Sequence, residues 1–310
     1  MSTPTDAQGT PAPGALQSLT FQMLHFLPRN ALSRAVGRLS DTWLPRSLRP
    51  TAYQIFADLS GAKLEEAELP LEEYPSVNAF FTRRLRPGLR PIDDTPRGLV
   101  SPADGVVSAM GRIEDGKMMQ IKGRMYEARE LLGGHHDALP FEDGHYITIY
   151  LSPTDYPRVH HPVTGQVRGF TYNPGHLWPV NAAAVHNVDR LFCVNERVCV
   201  YVDGFDDGES GGEGLHGYNG VPVASVMVGA TCVGRMSLSF DPLVTNTTPG
   251  AIRQNVLYAD GKPVRGGDEM GMFNLGSTVV LLIGAKELEW AEGIYSGQKV
   301  QMGQALCTVP

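Results

Sequence analysis

The chain has 310 residues, 42% hydrophobic and 19% charged, which suits a globular fold with a sizeable core. No apolar run reaches the roughly 20 residues that a membrane-spanning helix needs, and the first residues lack the basic start and apolar stretch of a secretory signal. Net charge is −7, unevenly spread: residues 1–50 carry five arginines against Asp6 and Asp41, leaving −10 for the rest. Such an acidic body argues against nucleic-acid binding as the main task.

The predicted elements follow in chain order. Residues 1–15 read as a disordered tail. In 16–27, Leu16, Leu19, Met23, Leu24 and Leu27 fall on one helical face, and Pro28 stops the helix. "NALSRAVGRLSDTWL" resumes helical spacing, with Asn30 as N-cap and Arg34 and Arg38 four apart. An aromatic-bearing amphipathic helix followed by an arginine-bearing one suits a membrane interface; two helices packed on the protein's own core would give the same pattern. Further helices are expected at 51–60 and 76–85. Beyond residue 98 short alternating runs separated by glycines dominate, among them "HYITIYL", "RLFCVNERVCVYV" and "TVVLLIGA". They predict a mostly β body in an α+β chain, with "VNERV" as a hairpin turn. Residues 203–220 form an acidic, glycine-rich loop. The end, "AEGIYSGQKVQMGQALCTV", has a barrel-sandwich rhythm without a carrier lysine. The four cysteines, Cys193, Cys199, Cys232 and Cys307, show no CxxC spacing; they read as free thiols in a reducing compartment, with no zinc site.

Three segments carry chemistry. "YLSPTDYPRVHHPVTG" sets His160 beside His161 in a proline-bounded loop just past a strand. "SPADGVV" presents Asp104 in a turn. "FNLGSTVVLLIGA" puts Gly276 and Ser277 at the mouth of a strand. Taken singly, each reads most simply as turn chemistry. Together, Ser277, His160 and Asp104 supply a nucleophile, a base and an orienting carboxylate. The surroundings of Ser277 do not match the G-x-S-x-G elbow of common serine hydrolases.

These motifs resemble the bacterial phosphatidylserine decarboxylase proenzymes. "FNLGSTVVLL" resembles that family's L-G-S-T processing site, "SPADG" its aspartate motif, and "YLSPTDYPRVHHPVTG" its histidine motif. The likeness continues through "FFTRRLRPGLRPID", "QIKGRMYEARELLGG", "NERV" and "VGATCVG", from about residue 70 to the end. The resemblance implies self-cleavage between Gly276 and Ser277 into a long chain, 1–276, and a short one, 277–310. Asp104, His160 and Ser277 would act as the self-cleavage triad. Ser277 would become a covalent pyruvoyl cofactor that forms a Schiff base with phosphatidylserine and releases CO2 and phosphatidylethanolamine. The protein would sit peripherally on the cytoplasmic face of the membrane, through 16–50, with 51–310 as the catalytic domain and a homodimer as one assembly. One departure stands out: the family's Tyr-His-Arg-Val-His is here Tyr156-Pro157-Arg158-Val159-His160. The proton donor of decarboxylation is therefore open among His161, water and a reused His160. A relative acting on another amino-acid headgroup, or with impaired decarboxylation, remains the alternative enzyme. A non-enzymatic membrane-binding module and a conventional serine hydrolase are the alternatives from other classes.

Overall fold

The computed structural model describes residues 29–310 apart from 122–123, 206–218, 232–234 and 275–276. The tail and helix expected over 1–27, most of the acidic loop, Cys232 and Gly276 lie outside the described residues. The helices are α1 (Arg29–Ser40), α2 (Arg49–Ser60), α3 (Val77–Phe81), α4 (Ala128–Leu132), α5 (His135–Ala138), α6 (Ala182–Asn187) and α7 (Leu191–Val194). The strands are β1 (Gly98–Val100), β2 (Gly105–Arg112), β3 (Lys117–Ile121), β4 (Arg124–Glu127), β5 (His145–Tyr150), β6 (Arg158–His160), β7 (Gly165–Asn173), β8 (Arg197–Gly204), β9 (Val221–Val228), β10 (Met236–Leu238), β11 (Gln254–Val264), β12 (Glu269–Phe273), β13 (Thr278–Ile283), β14 (Glu289–Trp290), β15 (Lys299–Val300) and β16 (Ala305–Thr308).

The body is an eight-stranded sheet in the order β11-β7-β8-β9-β13-β5-β2-β15, and its ladders are all antiparallel. Helices at the N-terminal end and this sheet make the chain α+β, as expected. The sheet is not closed into a barrel. The barrel-sandwich rhythm of the C-terminal stretch corresponds to short strands split between two sheets: β14 and β16 join β1, while β15 edges the main sheet.

β13 lies between β9 and β5, and all six of its residues are buried. A strand covered on both faces is expected to be a continuous apolar run rather than an alternating one, and Val279 to Ile283 is such a run. Burying each of these side chains contributes about 1.5–3 kcal/mol. They belong to the main core with Ile147, Ile149, Val226 and Val228. A separate small cluster forms around Tyr53, Ala67, Tyr74 and Phe80, where the Tyr53 and Phe80 rings stack 4.6 Å apart. It joins α2 to α3 and gives the helical end its own core.

"VNERV" is not a hairpin turn. Leu191 to Val194 are helical and Arg197 begins β8. The reason is Asn195, whose buried amide receives the Trp178 N–H (3.0 Å) and donates to the carbonyls of Trp178 (2.9 Å) and Gly229 (2.8 Å). With both ends of that side chain bonded to other segments, a helix-to-strand junction wins over a local turn. The helix expected at 76–85 is shorter, Val77–Phe81, with Thr82 as its C-cap.

Candidate active site

The register of the central strands brings two of the expected residues to one end of the sheet. Val106, Tyr150 and Thr278 form one row across β2, β5 and β13. Ser277 precedes Thr278 and Asp104 lies two residues before Val106, so both leave the same sheet end on either side of β5. Two strand spacings separate their backbones, about 10 Å. The third expected residue arrives from a different sheet. His160 ends β6, pairs in register with Glu269 of β12, and donates its main-chain N–H to the Pro102 carbonyl at 2.8 Å. β12 in turn leads toward Ser277.

Ser277 is fully buried. Its carbonyl accepts the Leu151 N–H at 2.7 Å, extending the β5–β13 ladder by one residue. Its hydroxyl donates to the Val228 carbonyl in a short contact. The hydroxyl is therefore directed at the backbone of β9, not at His160.

His160 is also buried. Its Nδ1 lies 2.8 Å from the Gly267 carbonyl. A carbonyl only accepts, so Nδ1 carries the proton and Nε2 the lone pair. Nε2 has no hydrogen-bond partner. Gly267 has φ of +88°, a conformation that glycine adopts without strain. Burial lowers the His160 pKa below the ordinary imidazole value, opposed by the Gly267 hydrogen bond and by the charges of Glu269 and Asp104. A neutral imidazole with an unoccupied Nε2 is the state a general base requires. The Tyr156 ring lies 5.7 Å from the imidazole, and burial pushes the Tyr156 hydroxyl up to about 12, so it remains a donor. His160 and Tyr156 open onto a cavity of about 360 Å3, which Arg84, Arg86, Arg90, Glu269 and Met302 also line.

Asp104 is not hydrogen-bonded to His160. Its carboxylate accepts Arg90 Nε at 2.9 and 3.0 Å and Arg90 Nη2 at 2.5 Å, and the Met302 N–H at 2.9 Å. Arg90 also reaches Glu66 at 3.1 Å. The turn around Asp104 is built from its own sequence and from the C-terminal segment. Ser101 Oγ donates to the Ala103 carbonyl (2.7 Å), and the Ser101 N–H donates to the Gln304 carbonyl (2.8 Å). A Cβ at Gly105 would meet the Tyr150 carbonyl oxygen at 2.4 Å, so a side chain there would force the turn off β5.

The adjacent histidines part company. His161 is buried, but it does not line the cavity that His160 lines. Its ring lies 5.9 Å from Phe240, and neither ring nitrogen has a partner. Burial lowers its pKa to about 4, against a smaller opposite effect of Asp268 and with a further lowering by His160. Neighbours along an extended strand point to opposite faces, and β6 follows that rule at its last residue and the next.

Two residues that the sequence reading did not single out join the site. Arg90 sits inside "FFTRRLRPGLRPID" and Met302 inside "VQMGQ". A lone arginine before a Pro-Ile pair carries no signal of its own; only the aspartate it holds identifies it. Among the described residues no group of three or more His, Cys, Asp or Glu side chains is placed to hold a metal ion.

A family model described as phosphatidylserine decarboxylase matches residues 77–308. The chain is 40% identical over 286 residues to the phosphatidylserine decarboxylase proenzyme of Myxococcus xanthus, covering 92% of this chain and 96% of that one. The proenzymes of Brevibacillus brevis and Azotobacter vinelandii are each 40% identical as well. The first match covers 92% of this chain and 96% of the relative, the second 91% and 95%.

Proposed function

The chain belongs to the phosphatidylserine decarboxylase family and is a pyruvoyl-dependent carboxy-lyase made as a proenzyme, and we propose that it makes its pyruvoyl group from Ser277 by cleaving the bond that follows Gly276. The observation that supports the proposal is that Ser277 and the Asp104 turn leave the same sheet end, while the His160 main-chain N–H bonds to Pro102 at the start of that turn and its neutral imidazole keeps Nε2 unpartnered; the Ser277 hydroxyl has to turn away from the Val228 carbonyl to meet it. His160 takes the Ser277 hydroxyl proton as the oxygen attacks the carbonyl of residue 276, and an ester replaces the peptide bond. β-Elimination then frees the carboxylate of 276 and leaves dehydroalanine at 277. That group tautomerises, takes up water and releases ammonia, leaving the pyruvoyl group.

The residues present suit such a group. The Ser277 carbonyl is held by Leu151, and the strand behind it is buried, so the new terminus stays at the sheet end after cleavage. When present, the group supplies a sink for the electron pair left as CO2 departs. The remaining work falls to side chains. Asp104, locked by Arg90 and Met302, lowers the cost of charge on the His160 imidazole through space, while the Gly267 carbonyl orients the ring. His160, which lines the cavity, is the residue that returns a proton during decarboxylation. His161 faces Phe240 and does not line that cavity.

No described helix is long and apolar enough to cross a membrane. The reading supported best is peripheral attachment at the cytoplasmic face. Leu39, Trp43, Leu48 and Ile55, on α1, α2 and the segment between them, are more than half exposed, and an interfacial arginine is worth about 1 kcal/mol on an anionic leaflet. α1 also touches the body: Asn30 donates to the Gly175 carbonyl (3.0 Å), Arg34 to Asn246 (3.0 Å), and the Arg29 guanidinium lies 3.5 Å above the Trp178 ring.

Intact mass spectrometry tests the central claim. The wild-type protein is expected as two chains, 1–276 and 277–310, the short one bearing a pyruvoyl terminus. Ser277→Ala is expected as one full-length chain without CO2 release from phosphatidylserine. A wild-type protein that stays at full-length mass and still releases CO2 would overturn the proposal.

A further inference from the structure

Residues 275 and 276 connect two fixed points. On one side Ser277 is held by Leu151 and begins the buried strand β13. On the other side Asn274 is tied to Arg235 three ways: its main-chain N–H and its Nδ2 both donate to the Arg235 carbonyl at 3.0 Å, and Arg235 Nη2 lies 3.5 Å from its Oδ1. Arg235 does not stand alone. Its guanidinium grips Asp41 in a two-pronged pair, Nη1 to Oδ2 at 2.7 Å and Nη2 to Oδ1 at 2.9 Å. Asp41 is the residue directly after α1, its N–H donates to the Gly37 carbonyl, and Asn78 adds a third bond to its carboxylate at 2.8 Å. An unbroken chain of contacts thus runs from the end of the N-terminal helix to the third residue before Ser277.

We propose that Asp41 and Arg235 are positioning residues for self-cleavage: together they set where the chain enters the segment that Ser277 attacks. The inference rests on the reading of Ser277 as the self-cleavage nucleophile. Attack by a hydroxyl on the carbonyl of the preceding residue needs the reacting atoms about 3–3.5 Å apart and aligned, and small displacements are costly. With Ser277 fixed by the sheet, the entry point at Asn274 is one of the variables that set this geometry. The planar fork of arginine against a carboxylate defines direction as well as distance, which a single-point contact would not. The pair is partly open to solvent, so its effect is bounded by what exposed ion pairs achieve, about fivefold in rate.

The test follows precursor conversion over time after a pulse of cell-free synthesis, read on gels and by intact mass. Asp41→Ala and Arg235→Ala are expected to convert about fivefold more slowly, and Arg235→Lys, which keeps the charge but loses the fork, to fall between. The exchange Asp41→Arg with Arg235→Asp is expected to recover at least half of the lost rate, which a purely destabilising effect of either change would not allow. Deleting residues 1–28 is expected to leave conversion unchanged, whereas deleting 1–45 slows it as much as Asp41→Ala. Melting temperatures compared in the uncleavable Ser277→Ala background are expected to agree within a few degrees. Single variants that convert at the wild-type rate, or an exchange as slow as the worse single variant, overturn the proposal. A wild-type chain that never converts overturns the underlying reading of Ser277 instead, and this inference with it.

Discussion

The last residue of β6 and the residue after it are neighbouring histidines, both buried and both shifted toward the neutral form. They differ in what surrounds them. His160 has one nitrogen anchored on the Gly267 carbonyl and the other unpartnered, and the residue lines a cavity with arginines and Tyr156. His161 has two nitrogens without partners against Phe240. Loss of charge alone therefore does not make a base. What sets His160 apart is an anchor that fixes its tautomer and a place on the cavity wall.

The largest expected effect breaks the comparison most directly. His160→Ala is expected to slow self-cleavage by about 10²–10⁴-fold, the usual cost of removing a general base. His161→Phe keeps a ring of similar size, removes no hydrogen bond, and is expected to cleave within about threefold of wild type. Equal rates for the two variants, measured by precursor conversion, would mean that the side of the strand is irrelevant.

Asp104 sharpens the contrast, because its charge acts on the His160 side. Asp104→Asn keeps an acceptor for the Met302 N–H but removes the charge opposite Arg90. About a tenfold slower conversion is expected, smaller than for His160→Ala, since the carboxylate acts without touching the imidazole. A loss as large as that of His160→Ala would place Asp104 in direct contact during the reaction.

The smallest effect concerns pH. The rate of self-cleavage is expected to rise with pH and level off below the ordinary imidazole value of 6.5, because burial makes His160 a weaker acceptor of protons. Stability follows the same direction. Between about 6.5 and about 4 the unfolded chain binds a proton at residue 161 and the folded chain does not, so stability falls as pH falls through that window. His161→Phe is expected to reduce the slope of denaturant stability against pH there. A slope unchanged by the substitution would show that His161 is not held neutral.

The sequence made the body legible where local pattern and tertiary environment agree. Val279 to Ile283 is uniformly apolar, β-rich and fully buried, and no other reading competes. "VNERV" misled because the bonds that decide it run from Asn195 to Trp178 and Gly229, segments distant in the chain. The site was legible as residue types and not as partners. Ser277, His160 and Asp104 were singled out from their motifs, but of the residues that hold two of them Gly267 lies 107 positions from His160, Met302 198 from Asp104 and Arg90 14 from Asp104, and none is marked by motif-like spacing. The opposed orientation of His160 and His161 follows from strand alternation; which of them meets the cavity depends on packing against Phe240 and Tyr156.

The central position of β13 has a consequence for what the processed protein can recover from. Before cleavage, the strand between β9 and β5 is tethered to the body, so regaining its place after denaturation is a first-order event. With the proposed cleavage before Ser277, the strand would belong to a separate molecule of 34 residues, and finding its slot would become second-order and dependent on concentration. Cleavage at that position would make loss of structure a one-way process, with the finished enzyme persisting through the height of its unfolding barrier rather than by refolding.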